Sequence, residues 1–469
     1  MFGEWVKIRS WDFYARLIIA AFAILQIMRW VLLPQFMDIY YHFLTAWGFI
    51  QAGGYSGWDF WQYAPVGRVH IYPPLFHILL AALIKLGINK IILAKFFEAG
   101  MPILFLCSLR YFTKKYYGSR FSLFCLVMFS SSFSFYLSLI NHLPATLALV
   151  FGILAFDQVF AKKLLRAAFF LVLSFYTHIS VSYFIILGMI IYGLLDKEYR
   201  KLSLIVSILA IVVSMPIIFK QIATLNLISV SGIAQRFQCE FKTIDYLLAL
   251  SGLMLIWRRP QNYRLFLSLF LASLIYLAYP YRFFSAQGYL PVIFLSAVSL
   301  DALYENLQHK RVYLKYAFAL IIIFILFISP TALTEPKNKA KVYIFDSALV
   351  DMVLPEHNKR VTSQTLWNPA VYLPTAELIK DNSREGDIIF SSLNNVGVCL
   401  AAISGRATAN ALLPEIGPSR KFDPLSAAKI IITTQDEKPE WLQFIVKKYG
   451  LIKIGGNKLF IVYKNPAPR

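Results

Sequence analysis

Asp38 lies in MDIYYHF, directly after the apolar run RLIIAAFAILQIMRWVLLP. A carboxylate near lipid is costly. One placed where the chain leaves a bilayer is either a helix cap or a proton acceptor set for work. His42 follows four residues later and can share its helical face. It can orient the carboxylate, contact a substrate, or stand as an ordinary interfacial histidine. Tyr41, like Tyr40, suits a binding site or an aromatic membrane belt. Arg282 is the only basic residue of the turn AYPYRFFSAQ. A cation there holds a phosphate or snorkels to lipid headgroups. His142 in INHLP and His178 in YTHIS fall at two further turns and can line one cavity. Lys95 and Glu98 in AKFFEAG stand three apart, so they either pair with each other or face that cavity. Arg68 and His70, just before IYPP, are weaker candidates for substrate contact. Arg406 and Thr408 in ISGRATAN sit on a glycine turn.

These residues need elements to position them. The chain has 469 residues, 58% of them hydrophobic and only 15% charged. That composition belongs to a polytopic membrane protein. The formal net charge of +21 does not indicate nucleic-acid binding, because Lys and Arg cluster in short stretches between apolar segments. Spans are expected at 17–34, 91–110, 120–140, 143–160, 202–219, 264–281, 284–301 and 313–330, with a shorter one at 244–257. The run 162–197 is too long for one span and divides at YTHIS. Segment 73–87, PPLFHILLAALIKLG, is too short to cross. If it stays on one face, nearly every basic cluster of the short loops falls on one side, including Arg110 with Lys114 and Lys115, Lys162 with Lys163, and Arg258 with Arg259. The positive-inside rule then gives about eleven spans with the N-terminus in the cytoplasm. The first outer loop covers 35–90, within a transmembrane domain of 1–331. Residues 332–469 lose hydrophobicity and read as a small extracytoplasmic α/β domain that folds separately. GDIIFSSL, AKIIITT, GLIKIGG and KLFIVYK read as strands, PTAELIKDN and PEWLQFIVKKYG as helices. Cys107, Cys125, Cys239 and Cys399 have no metal-binding spacing. A disulfide between Cys239 and Cys399 is conceivable.

A span, an acid in DIYYHF and then YPPLFHILLAAL resemble the opening of the GT-C glycosyltransferases, polytopic enzymes that take sugars from polyprenyl-phosphate carriers. PYRFFSAQGYLPVIFLSAVSL looks like the family's late arginine-bearing hairpin. AELIKDNSREGDIIFSSLNNVGVCLAAISGRATAN is similar to its outer domain. The resemblance implies transfer of one sugar, with inversion, to a glycan, lipid or protein acceptor on the outer face. Asp38 would be the base and Arg282 would hold the donor phosphate. His42, His178, His142, Tyr41, Arg68, His70, Lys95 and Glu98 would contact substrates. The second outer loop, LINHLPAT, lacks the acidic pair with which oligosaccharyltransferases hold a divalent metal, so a metal-independent enzyme without cofactor is expected. The rival readings are a flippase of a lipid-linked glycan and a non-catalytic relative.

Overall fold

The computed structural model describes residues 2–28, 38–227, 239–258, 263–308, 312–334, 340–353, 369–412 and 416–468. Residues 29–34 of the first expected span, Arg259, Lys310 and Arg311 lie outside this set. Among the described residues, ten helices occupy the first half: α1 (Phe2–Met28), α2 (Asp38–Gln51), α3 (Leu75–Lys85), α4 (Lys90–Tyr117), α5 (Ser119–Ser131), α6 (Phe133–Asn141), α7 (Leu143–Phe160), α8 (Leu164–Thr177), α9 (Ile179–Leu195) and α10 (Arg200–Ala223). There follow α11 (Thr243–Arg258), α12 (Arg264–Ser273), α13 (Pro280–Phe284), α14 (Leu290–Leu307), α15 (Val312–Phe327) and α16 (Ala348–Val353).

Among the described residues, five helices are long and apolar enough to cross a membrane: Ser10–Met28, α4, α7, α10 and Gln287–Leu307. The expected span 120–140 is not continuous, because α5 and α6 meet at a bend of 86°. Ser132 is the cause. It leaves the helical region at φ −108° and ψ 107°, and its hydroxyl caps α6 by accepting from the Phe135 amide. The expected break at YTHIS is present. His178 is extended, and its Nδ1 accepts from the Val181 amide at 3.2 Å, capping α9. The segment 73–87 becomes α3, 11 residues long, about 16 Å or half of a hydrocarbon core.

The chain divides into two compact units. The first comprises residues 1–29, 98–219 and 230–358. Two of its helix pairs approach closely where glycine removes a side chain. A Cβ on Gly252 of α11 would lie 2.0 Å from the Leu295 carbonyl oxygen of α14, and one on Gly152 of α7 would lie 2.7 Å from Ile185 of α9. Small residues at helix contacts are the usual means of packing spans in lipid. Strands β1 (Trp58–Asp59) and β2 (Arg68–Val69) belong to the second unit. The three-stranded antiparallel sheet of β3 (Cys239–Phe241), β4 (Thr331–Thr334) and β5 (Ala340–Tyr343) belongs to the first.

The second unit comprises residues 30–97, 220–229 and 359–469. It contains a five-stranded sheet built from β6 (Ile388–Ser391), β7 (Ala407–Thr408), β8 (Ile430–Thr434), β9 (Ile452–Gly456) and β10 (Phe460–Lys464). The order is β7-β6-β8-β10-β9. β6 runs parallel to β7 and β8, and β10 antiparallel to β8 and β9. The four strands and two helices read from sequence are all present. The helices Asn394–Ser404 and Pro439–Tyr449 end on Gly405 (φ 70°) and Gly450 (φ 60°), left-handed positions that favour glycine. The first outer loop packs with this sheet. α2 is buried along nearly its whole length and lies against α3 and the helix Asn394–Ser404. The loop also extends the sheet edge. Thr408 N–H donates to the Trp61 carbonyl at 3.0 Å, Ala64 N–H to the Thr408 carbonyl at 3.0 Å, and Tyr63 N–H to the Asn410 carbonyl at 3.2 Å. Cys399 is a free, fully buried thiol, and the side chain of Cys239 lies outside the described residues.

Candidate functional site

Asp38 is the first residue of α2 and half-buried. The positive end of a helix dipole favours a carboxylate there. One turn further on, Tyr41 and His42 are both buried. His42 Nδ1 and His77 Nε2 share a hydrogen bond at 2.8 Å, which joins α2 to α3. The Tyr72 ring stands 5.4 Å from the His42 ring and 5.3 Å from the His77 ring. His70 is buried against Phe49, Trp61 and His77 at centroid distances of 5.5, 5.5 and 5.8 Å. Burial pushes the His77 imidazole down to about 3, against the opposing carbonyl of Pro73. Burial, then the neighbouring His77, Lys220 and Arg68, hold His70 well below the ordinary histidine range. Burial raises the Tyr41 phenol, with Asp59 adding to the effect.

Arg68 lies next to this aromatic cluster in sequence but forms a network of its own. It faces Asp59 across the β1–β2 ribbon. Its Nε donates to Asp59 Oδ2 at 3.0 Å, Nη1 to the Ile416 carbonyl at 3.0 Å and Nη2 to the Leu412 carbonyl at 3.0 Å. Gln62 completes the network. Its amide N–H and Nε2 donate to Asp59, and its Oε1 accepts from the Leu412 amide. Burial raises the Asp59 carboxyl to about 6, opposed chiefly by Arg68. The structure therefore gives Arg68 the position of a buried tie between the loop and the residues after β7.

In the first unit, Arg282, His142 and His178 come together. Arg282 Nη1 donates to Ser180 Oγ at 2.9 Å and to Gln287 Oε1 at 3.1 Å, and its guanidinium lies over the Tyr279 ring at 5.3 Å. The His142 ring meets Tyr281 at 6.0 Å. Burial and then the Arg282 charge push His142 down to about 3, and the same two causes lower His178. The cation thus stands beside two histidines whose charged form it disfavours. Lys95 and Glu98 are both half-buried on α4. Arg406 donates to the Ser383 hydroxyl at 2.9 Å and to backbone carbonyls, which makes a structural turn.

Sequence reading missed His77, Tyr72, Asp59 and Lys220. Lys220, in the last turn of α10, donates to the Tyr55 hydroxyl at 2.6 Å. The available signals were a histidine inside an apolar helix for His77 and a cation just past the apolar run 202–219 for Lys220. Among the described residues no group of three His, Cys, Asp or Glu side chains is arranged to hold a metal ion.

Acidification should loosen the protein. His77 and His142 titrate near 3 in the folded chain against about 6.5 when unfolded. Their depressed values contribute stability that is complete above 6.5 and is lost as pH falls towards 3. Between pH 6.5 and 5 each loses about 2 kcal/mol. Asp59 works in the opposite sense. Its raised value, about 6, returns about 1 kcal/mol as pH falls from 6 to 5. A lower unfolding midpoint at pH 5 than at pH 7 in detergent is the expected result, and Tyr or Trp fluorescence would measure it.

No family model and no curated protein matches the sequence. Solved structures do match its fold. ArnT from Cupriavidus metallidurans bound to undecaprenyl phosphate aligns over 100% of this chain and 99% of its own, with TM-score 0.55 and 13% identity. The apo oligosaccharyltransferase of Archaeoglobus fulgidus aligns over 92% of this chain and 68% of its own, with TM-score 0.56 and 11% identity. The archaeal oligosaccharyltransferase AglB from the same organism, in complex with an inhibitory peptide and a dolichol-phosphate, covers 96% and 74%, with TM-score 0.50 and 11% identity. The chain therefore has the fold of the GT-C proteins that its first outer loop resembles, that of a multi-pass membrane protein with a C-terminal sheet domain.

Proposed function

We propose that this chain is a membrane glycosyltransferase that moves one sugar from a polyprenyl-phosphate donor to an acceptor hydroxyl on the outer face. The observation that carries the reading is the full-length likeness of its fold to ArnT, a protein crystallised with undecaprenyl phosphate. In the proposed reaction the acceptor oxygen attacks the anomeric carbon as its proton passes to the Asp38 carboxylate. The bond between the anomeric carbon and the phosphate oxygen breaks, and polyprenyl phosphate leaves with the electron pair. Configuration inverts, and no metal is required. Arg282 holds the phosphate and stabilises the charge that grows on it. The direct test is incubation of the purified chain with a polyprenyl-phosphate sugar and candidate acceptors, following loss of sugar from the lipid.

Two predictions belong to this reading. A charge-assisted contact contributes about 1.5–3 kcal/mol, so Arg282→Ala should weaken donor-lipid binding by roughly 10–100-fold. Binding at the parental affinity would leave Arg282 as a headgroup anchor only. The topology proposed with it has about eleven spans, the N-terminus in the cytoplasm and α3 on the outer side without crossing. A reporter fused after Ile88 should read as extracytoplasmic. A cytoplasmic signal would reverse every later span and remove the sheet domain from the outer face.

A further inference from the structure

A cavity of about 270 Å³ opens at the end of the first unit opposite Arg282. Helix α9 fixes that separation. It starts at the His178 cap beside Arg282 and ends at Asp196 after 17 residues, about 25 Å. By the loop charges, this is the cytoplasmic end of the spans. Three helices terminate here, α4 at Tyr117, α7 at Phe160 and α9 at Leu195.

The walls are aromatic. The Phe160 ring stands 4.8 Å from Tyr116, 5.6 Å from Tyr192 and 5.4 Å from Tyr199, and the last two rings are 5.8 Å apart. Asp196 and Glu198 supply carboxylates, and Arg264 a guanidinium. Each charge has a partner of opposite sign. Arg264 Nη1 is 3.2 Å from Asp196 Oδ2, and Lys162 Nζ, which lies over the Tyr199 ring, is 2.8 Å from Glu198 Oε1. Both outer pairs are partly or fully exposed, and such pairs are weak and exchange readily with other charges.

We infer that this cavity binds a zwitterionic amino-phosphate headgroup of the phosphoethanolamine class. Its ammonium meets the tyrosine faces, which attract cations, and the Asp196 and Glu198 carboxylates. Its phosphate meets Arg264, whose planar fork suits phosphate oxygens, and Lys162. A ligand of one sign would meet both carboxylates and a guanidinium in this lining, and so be opposed by part of it. A zwitterion replaces both partners of each pair at once. The chemistry can arrive as a membrane phospholipid or as the free headgroup.

The test uses the full chain, purified in detergent and returned to bilayer discs containing phosphatidylethanolamine or phosphatidylglycerol. Native mass spectrometry then counts retained lipid. Retention of phosphatidylethanolamine over phosphatidylglycerol by about tenfold is expected. Tyr199→Leu combined with Glu198→Gln should abolish that preference, and Tyr199→Phe, which keeps the ring face, should preserve it. Displacement of the lipid by millimolar soluble phosphoethanolamine would assign the site to the free headgroup, and its persistence would assign it to the lipid. Equal retention of the two lipids by the parent chain, or an unchanged preference in the double variant, overturns the inference. The donor-lipid affinity of each variant, read in the same preparation, separates lost headgroup binding from misfolding.

Discussion

Asp38→Asn is expected to slow sugar transfer by about 10²–10⁴, the usual effect of removing a general base, with donor-lipid affinity near that of the parent. The substitution keeps shape and polarity at the first residue of α2, and asparagine is as good an N-terminal cap as aspartate. Helix stability should therefore change little, so the loss reports chemistry. In the proposed reaction the Asp38 carboxylate takes the acceptor proton, and that role is what the substitution removes. Rates measured with saturating donor in liposomes, together with donor binding, decide the matter. Transfer at the parental rate would make the carboxylate a cap and bring the non-catalytic reading forward. The Arg282→Ala variant serves as the opposite control, since its defect should appear in binding first.

Arg68→Ala should cost about 3–5 kcal/mol of stability in the second unit. It removes one partner of a buried ion pair and leaves the other without its counter-charge. The side chains of Arg68 and Asp59 are 5% and 1% exposed, so water cannot compensate. The loss extends to the Ile416 and Leu412 carbonyls. Limited proteolysis at residues after 410, followed against temperature, should show the variant opening earlier than the parent. Asp59→Asn, which leaves a neutral group able to accept from Arg68, should be milder. If Arg68→Ala were as resistant as the parent while donor binding fell, Arg68 would belong to the substrate site as sequence reading had it.

Much of the architecture was legible because it rests on local periodicity. The apolar runs gave helices close to α4, α7, α10 and α15, and alternating or continuous apolar segments gave β6, β8, β9 and β10. Segment 73–87 could be read as too short to cross from length alone. The bend at Ser132 was missed because SSSFS carries neither proline nor glycine, and its signal is a serine cap inside an apolar run. The late hairpin was shifted because Pro280 and Pro291 each start a helix at N1 or N2. Residue type and position made Asp38, His42 and Arg282 candidates in the sequence. The partners that hold them, His77 for His42 and Ser180 and Gln287 for Arg282, depend on how neighbouring elements turn, and no spacing in the sequence announces them. Least legible was the pairing of the first outer loop with β7, which no local pattern encodes.

That pairing also sets an order of events during synthesis. Arg68 and its acceptor Leu412 are 344 residues apart. At about 5–20 residues per second, roughly 20–70 seconds pass between them. Throughout that interval the Asp59–Arg68 ribbon and the backbone groups of residues 61–64 exist without the strand that covers them. A ribbon of two short strands is barely stable alone, so the loop carrying Asp38 reaches its final form only when the end of the chain arrives. Translation that stops before β7 would leave the spans assembled beside an unfinished loop, and a quality-control protease would find its cleavage site there.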